Sequence, residues 1–467
     1  YQEEVRDPSR MAEVLNRVIE KAIRGSAPAQ INVPRDYWTH VIDIELPPIV
    51  RLEKQAGGAD AISKAAKLLS NAKFPVILSG AGVVIGEAIE DCKKLAEKLD
   101  APVCSGYQHN DSFPGSHPLA AGPLGYNGSK AGMELISKAD VVLALGTRLN
   151  PFSTLPGYGI DYWPKNANII QVDMNSDRIG LTKKVTVGIC GDARLVAQQL
   201  LAQLSSNAGD KDRQKRKDII HRTKSAWLQK LSSLDHEEDD KGTVWNKEAR
   251  KRDKDRMSPR QAWRAIQAAM PDNVIISSDI GNNCAIGNAY PTFEKGRKYL
   301  APGLFGPCGY GFPSILGAKI GCPKTPVIGF AGDGAFGISM NEMSSCARKE
   351  WPAITMIIFR NYQWGAEKRN SILWFDDNFV GTELDPDLSY AKVATACGLK
   401  GVVVKTMEET TNAIKQSCED QKRGITTFIE VILNQELGEP FRRDAMKKPV
   451  SVAGINKEDM KPQKNLT

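Results

Sequence analysis

Phe330-Ala331-Gly332-Asp333-Gly334-Ala335-Phe336-Gly337, followed at a fixed distance by Phe359-Arg360-Asn361-Tyr362-Gln363-Trp364-Gly365, decides the fold of this chain. The apolar run 327–331 reads as a buried strand that ends in Gly332-Asp333-Gly334, and the run 354–359 reads as a second one ending at Asn361. Between Gly334 and Asn361 lie 26 residues, enough for one helix and one returning strand. A helix of about ten residues followed by a crossover strand brings the chain back beside its starting strand. Asp333 and Asn361 are therefore expected at the tips of neighbouring parallel strands, at the carboxyl edge where open α/β sheets bind ligands. Asp333 offers a hard carboxylate oxygen and Asn361 a hard amide oxygen, a pair suited to Mg²⁺ or Ca²⁺ bridging a diphosphate. Gly332 and Gly334 would let backbone approach phosphate, and the helix that follows would aim its free N–H groups at the same anion.

Working outward, residues 257–440 read as one α/β domain. A Ser258-Pro259 cap opens a helix over 260–270, and the strand 274–278 runs into Asp279-Ile280-Gly281. The glycine-rich stretch 303–311 leads into a helix over 313–320, another helix is expected over 339–348, and the last strand spans 427–432. Residues 58–204 repeat the pattern. Helices over 59–69 and 87–99 alternate with strands over 75–78, 141–145 and 169–172, each ending in a Gly or Asp turn. The predicted fold class is α/β, with two parallel-sheet, three-layer domains. Residues 11–23 form an amphipathic helix and 29–33 a short strand. Residues 1–45 are too few to bury a core of their own and read as the C-terminal part of a further domain whose front lies upstream. Residues 205–256 read as a charged, solvated linker, since 210–224 carries seven basic and three acidic side chains and 235–256 carries seven and eight. Residues 441–467 form a polar, Lys-rich tail.

Composition excludes several classes. The net charge of +7 comes from 62 basic and 55 acidic residues of mixed distribution, which does not call for nucleic acid. The longest apolar runs are far shorter than the roughly 20 residues of a membrane helix, so no membrane partner is expected. Nine cysteines, none in C-x-x-C spacing, read as reduced thiols of a cytoplasmic protein. Five histidines without an H-E-x-x-H pattern argue against a zinc hydrolase. Gly80-Ala81-Gly82 with Gly86 has the spacing G-x-G-x-x-x-G, a weak dinucleotide signal, and the reading preferred is a structural domain without a nucleotide. His109 and His117 flank the turn at Pro114-Gly115 and read as loop residues, with proton transfer as the alternative.

These motifs resemble the thiamine diphosphate enzymes of the acetohydroxyacid synthase and pyruvate decarboxylase group. The resemblance runs along the whole chain. Residues 1–36 are similar to the end of that group's pyrimidine-binding domain, and 58–204 to its central domain. Gly306-Pro307-Cys308-Gly309-Tyr310-Gly311-Phe312-Pro313 is similar to its glycine-rich loop. The segment 359–370, with Gln363-Trp364-Gly365-Ala366-Glu367-Lys368, is most similar to the sulfoacetaldehyde acetyltransferase branch. The resemblance implies thiamine diphosphate and Mg²⁺ as cofactors. It also implies conversion of sulfoacetaldehyde and phosphate to acetyl phosphate and sulfite, and a homodimer or homotetramer with its sites between subunits. It implies metal ligation by Asp333, Asn361 and the Gln363 carbonyl, and cofactor contacts from Gly281, Asn282, Asn283, Gly306, Cys308, Gly332, Gly334 and Ala335. Cys308 stands where the group has a larger aliphatic residue that wedges the cofactor, so either the wedge is weaker or a neighbour such as Phe305 assists. Arg360 replaces the first Asn of the group's usual pair. The group's catalytic glutamate would lie upstream of Tyr1, so no residue here is assigned to it, and this stretch alone is expected to bind cofactor weakly. Both implied substrates are anions, which makes Lys368, Arg369, Arg360, Arg442 and Arg443 candidates for binding them, each with a solvated surface role as the alternative. Two other readings remain: a carboligase or decarboxylase acting on 2-oxo acids, and a catalytically incomplete cofactor-binding fragment.

Overall fold

The computed structural model describes residues 1–25, 27–46, 53–210, 212–233, 244–303, 305–374 and 379–437. Two six-stranded sheets, parallel throughout, organise the chain as expected. The first has the order β5-β4-β3-β6-β7-β8 and is built from β3 (Pro75–Ser79), β4 (Val103–Ser105), β5 (Ala120–Pro123), β6 (Val141–Leu145), β7 (Asn168–Asp173) and β8 (Val187–Cys190). The second has the order β10-β9-β11-β12-β14-β13. Its strands are β9 (Ile275–Ser278), β10 (Tyr299–Leu300), β11 (Val327–Gly332), β12 (Thr355–Arg360), β13 (Lys400–Val404) and β14 (Thr427–Ile432). At the N-terminus, β1 (Gln2–Glu4) and β2 (Gln30–Asn32) pair in parallel beneath the helix Met11–Gly25, around a small cluster of Val5, Val14 and Val18.

Strands covered on both faces must be apolar at every position, because each face meets a helical layer. That is why β11 and β12 read as continuous hydrophobic runs. Ile328, Phe330, Ile357, Phe359, Ile429 and Val431 fill one face, and Val327, Ala331, Met356, Ile358 and Phe428 fill the other. Trp263, on the helix Pro259–Ala269, stacks against Phe330 and Phe359 with ring centroids 4.8 and 5.4 Å away. Its indole N–H donates to the carbonyl of Asn283 at 2.7 Å, so the core directly anchors a loop at the sheet's carboxyl edge. The helix begins with the capping box Ser258/Gln261, in which each side chain accepts from the other's backbone N–H.

Two expectations need correction. Within 205–256, the helix Arg213–Ser233 is not a solvated linker but packs on the central domain. Arg216 is 1% exposed and donates to the carbonyls of Lys73, Leu99, Asp100 and Gly209, while Ile220 and Trp227 are buried. An arginine that satisfies carbonyl groups at the end of another helix can be buried where charge counting places it in water. The helix expected over 339–348 instead begins at Asp333 and runs as Asp333–Ser339, a 3₁₀ turn and Met343–Cys346.

The glycines of the Gly80-Ala81-Gly82 turn sit against Gly146 in the central domain. A side chain on Gly82 would lie 2.7 Å from Gly146 Cα, and one on Gly80 would lie 2.5 Å from Gly146 O. The two loops touch each other at their backbones, a packing reason for these glycines.

The two sheet domains meet along a polar seam. Asn110 Nδ2 donates to the carbonyls of Asn288 and Pro291 at 2.9 and 2.8 Å. Asp111, 3% exposed, accepts from Lys298 N and Tyr299 N at 2.9 and 3.2 Å, and burial pushes its carboxyl above the usual carboxylate range. Replacing Asp111 by Ala leaves two backbone donors without their acceptor. It should lower stability by about 1–3 kcal/mol in denaturant or thermal unfolding, whereas Asp111→Asn, which keeps an acceptor, should lose less.

Candidate active site

The second sheet changes winding direction between β9 and β11, because β10 lies on one side of β9 and all later strands lie on the other. Such a switch point opens a crevice at the carboxyl ends of the two strands. The tips of β9, β11 and the adjacent β12 carry Asp279-Ile280-Gly281, Gly332-Asp333-Gly334 and Arg360-Asn361. The register pairs Gly332 with Phe359, which sets Asp333 level with Arg360 and one residue short of Asn361, whose N–H reaches it.

Asp333 is 1% exposed and is the first residue of its helix. Its Oδ2 accepts from Tyr362 N at 2.7 Å, from Asn361 N at 3.1 Å and from Arg360 Nη1 at 3.1 Å. Its Oδ1 accepts from Gly334 N at 3.0 Å, and Tyr390 Oη donates to its backbone carbonyl at 2.8 Å. Burial pushes the carboxyl up to about 6, against the opposing pull of Arg360 and the N–H donors. Asn361 is also 1% exposed, and its Nδ2 has no partner among the described residues; the same holds for Asn283 Oδ1 and Gln363 Oε1. Each of these three buried amides keeps an unmatched polar atom that a polar ligand could engage, since buried polar groups are otherwise paired.

The two glycines flanking Asp333 differ in role. A side chain on Gly332 would meet nothing within 4 Å, so the backbone there faces open space. One on Gly334 would lie 2.8 Å from the indole of Trp364, which covers it. Gly334 is thus required by packing against Trp364. Gly281, at φ +134°, holds a conformation that L side chains rarely adopt and caps the short helix Asn282–Ile286. Asn282 packs against Gly365, and its Nδ2 donates to Glu436 O at 3.3 Å. Gln363 Nε2 donates to Gln435 O at 3.1 Å, so the chain after β14 braces two of the site loops.

The glycine-rich loop lies over the same crevice, held by a residue to which the sequence reading gave no role. Asp279 accepts from Gly309 N at 3.1 Å and from Gly311 N at 2.7 Å. A side chain on Gly311 would collide with Phe330 O at 2.6 Å, so the loop rests directly on β11. Gly306 has φ +64° and faces Ile280. Cys308 is half-buried against the apolar cluster, and burial, with help from the charges of Asp279 and Glu367, pushes its thiol up. It is a packed, protonated thiol. Phe305 is 91% exposed and does not back it within this chain, which corrects that expectation. Ala335 is buried in the same cluster.

The anion candidates fare differently. Arg360 is fully buried and committed to Asp333, to Glu430 at 3.7 Å and to the carbonyls of Asp385 and Leu388; its charge serves the protein, not a substrate. Lys368, 1% exposed, pairs with Glu383 and stands 5.4 Å over the Phe379 ring. Arg369 lies at the domain seam, 4.3 Å over the Tyr126 ring, and burial pushes it down to about 10. None of the three is a solvated surface side chain. Arg442 and Arg443 lie outside the described residues. His109 is partly buried, and desolvation with Arg148 nearby pushes it down to about 4, so it is neutral at pH 7.

A divalent cation fits these residues. The described residues contain no group of three or more His, Cys, Asp or Glu side chains able to hold a metal. A single carboxylate with one amide and a carbonyl is instead the donor set of Mg²⁺ that completes its shell with phosphate oxygens. The open face at Gly332, flanked by the N-terminal turn of the helix at Asp333, leaves space for those phosphates.

Replacing Gly334 by Ala should lower stability by about 1–3 kcal/mol through overpacking against Trp364. Combining it with Trp364→Leu should cost less than the sum of the two single changes in a double-mutant cycle.

Comparisons with known proteins agree with this architecture. The sequence profile of the thiamine pyrophosphate enzyme central domain matches residues 62–200, and that of the thiamine pyrophosphate enzyme C-terminal TPP binding domain matches 279–431. A probable sulfoacetaldehyde acetyltransferase of Rhizobium meliloti is 75% identical over 466 residues, covering 100% of this chain and 79% of that protein. The sulfoacetaldehyde acetyltransferase of Roseovarius nubinhibens is 73% identical, covering 99% of this chain and 77% of its own length. The crystal structure of benzoylformate decarboxylase from Polynucleobacter necessarius shares the fold, with a TM-score of 0.71 at 18% identity, covering 94% of this chain and 76% of that one. The chain belongs to the sulfoacetaldehyde acetyltransferase family of thiamine diphosphate enzymes.

Proposed function

We propose that this protein converts sulfoacetaldehyde and phosphate to acetyl phosphate and sulfite, with thiamine diphosphate and Mg²⁺ bound at the β9–β11 crevice. The observation that carries the reading is the 75% identity along the full chain to a probable sulfoacetaldehyde acetyltransferase, supported by the switch point between β9 and β11. The reaction balances internally. The C–S bond breaks and sulfite departs with its electron pair; the methylene carbon is reduced to methyl while the aldehyde carbon rises to the acyl level, and its new C–O bond to phosphate completes acetyl phosphate. No external oxidant or reductant is needed. Thiamine diphosphate, when bound, supplies the nucleophilic carbon and electron sink for such chemistry.

The chain's own residues hold and orient. Asp333 Oδ1, the Asn361 amide and the Gln363 carbonyl would take the cation. Gly281, Asn282, Asn283, Gly332, Gly334 and Ala335 would line the diphosphate, and Gly306 and Cys308 would lie under the cofactor's ring. Lys368 and Arg369 place two buried cations on the helix Gly365–Trp374, next to the metal loop. In a low-dielectric wall Arg369 would raise the local potential for a sulfonate and a phosphate without a direct contact being required, while the charge of Lys368 is offset by Glu383. No helix among the described residues is long and apolar enough to cross a membrane.

The test is a coupled assay with thiamine diphosphate and Mg²⁺. Sulfite release from sulfoacetaldehyde should require phosphate and match acetyl phosphate formation one to one. Release of carbon dioxide from pyruvate with no sulfite from sulfoacetaldehyde would overturn the reading in favour of a 2-oxo acid carboligase.

A further inference from the structure

Asp279, at the tip of β9, is 1% exposed and works in two directions. Its backbone N–H donates to Phe330 O at 2.8 Å and keeps it in the sheet. Its carboxylate serves the glycine-rich loop: Oδ1 accepts from Ile280 N at 2.8 Å and Gly309 N at 3.1 Å, and Oδ2 accepts from Gly311 N at 2.7 Å. Gly311 opens the helix Gly311–Gly321, and the preceding Tyr310 gives it no side-chain cap. The first N–H groups of a helix have no intrahelical acceptor, and the helix dipole favours a carboxylate there. Asp279 therefore caps this helix from 32 residues upstream. The loop it grips is conformationally free by composition. Gly303, Gly306 and Gly309 hold φ of +58°, +64° and +86°, and glycines lose the most backbone freedom on ordering. Packing sets a floor beneath the loop at Gly311, where a side chain would lie 2.6 Å from Phe330 O and 3.2 Å from Asp279 Cβ. Further along it is looser: a side chain on Gly306 would come no closer than 3.7 Å to Ile280, and Phe305 is 91% exposed. Two residues after Asp279, Gly281 turns the chain at φ +134° into Asn282-Asn283.

We propose that Asp279 is a positioning residue that sets the separation between the two ends of the cofactor site; this rests on the reading that the β9–β11 crevice takes thiamine diphosphate. Its backbone leads directly into residues 281–283, assigned to the diphosphate, and its carboxylate fixes the loop that holds Gly306 and Cys308, assigned to the ring. One side chain thus registers the ring end against the diphosphate end without touching either. Asparagine at 279 would have the same size but would present an N–H donor to one of the N–H groups that the carboxylate now accepts. One hydrogen bond of the latch then becomes a repulsive contact, and the loop is freed at Gly309 or Gly311 while the backbone pairing of β9 stays as it is.

The experiment has two readouts on the purified full chain: amide hydrogen exchange resolved to single residues, without ligand, and calorimetric titration with thiamine diphosphate and, separately, inorganic diphosphate, both with Mg²⁺. In Asp279→Asn, exchange at Gly309 and Gly311 should quicken by about tenfold or more while the helix Pro259–Ala269 keeps its parent rates. The Kd for thiamine diphosphate should rise by about tenfold and that for inorganic diphosphate by no more than about twofold, because only the first reaches the ring end. A merely structural role would weaken both ligands alike, so an equal rise overturns the proposal, as does unchanged exchange at both glycines. If the variant does not fold, the parent decides. Gly311 N–H has no helical acceptor, so exchange there at the rate of a free chain refutes the latch, and slowing by about tenfold or more upholds it. Thiamine diphosphate should then slow exchange across residues 305–309 further and inorganic diphosphate should not, equal slowing by the two being the contrary result. A parent chain that binds neither ligand removes the reading of the crevice, and the positioning role with it, whereas the exchange rates at Gly309 and Gly311 report the latch without any ligand.

Discussion

A carboxylate buried at the tip of a strand is the constraint on which this structure turns. Asp333 is pinned by two backbone N–H groups of the neighbouring strand's loop and by one buried guanidinium. Taking a carboxylate and an arginine out of water is costly, and their mutual attraction offsets that cost only when the remaining donors and acceptors are matched. Most are matched by elements distant in sequence: Tyr390 holds the Asp333 carbonyl, Ser389 and Ala391 hold Glu430, and Glu430 Oε1 stands 3.7 Å from the Arg360 Nε. The arrangement fixes one oxygen and leaves the other available, which is what a site for a small hard cation needs.

Around that point, the same kind of residue performs different work. Gly332 leaves open space, Gly334 makes room for Trp364, Gly281 supplies a left-handed turn, and Gly311 allows the loop to rest on β11. The central domain uses its glycines to bring two loops into backbone contact, and it presents Asp111 and Asn110 to the seam and supplies Tyr126 against Arg369.

Much of this was legible in the sequence. The interval from Gly334 to Asn361 holds one helical stretch and one buried strand, and parallel pairing leaves few ways to close such a unit, so the juxtaposition of the two tips followed from local pattern. The strand Thr427–Ile432 was read to the residue because both of its faces are apolar enough to show. The short strands Val103–Ser105, Ala120–Pro123, Val187–Cys190 and Tyr299–Leu300 escaped because two to four residues carry no period. Arg216, Arg360 and Lys368 were read as exposed or ligand-facing because charge type predicts solvent; their burial depends on carbonyls and carboxylates at Leu99, Asp385, Glu430 and Glu383 that no local window contains. Asp279 was visible as a strand end, but its grip on Gly309 and Gly311 depends on a loop folding back thirty residues later.

The most direct measurement is a crystal grown with thiamine diphosphate and Mn²⁺ in place of Mg²⁺, with data collected at the manganese absorption edge. The account predicts one anomalous peak roughly 2.0–2.5 Å from Asp333 Oδ1 and from an amide oxygen of Asn361, with phosphate oxygens completing its shell. A manganese peak elsewhere, with the tips of β11 and β12 unoccupied and the diphosphate absent from the β9–β11 crevice, would contradict it.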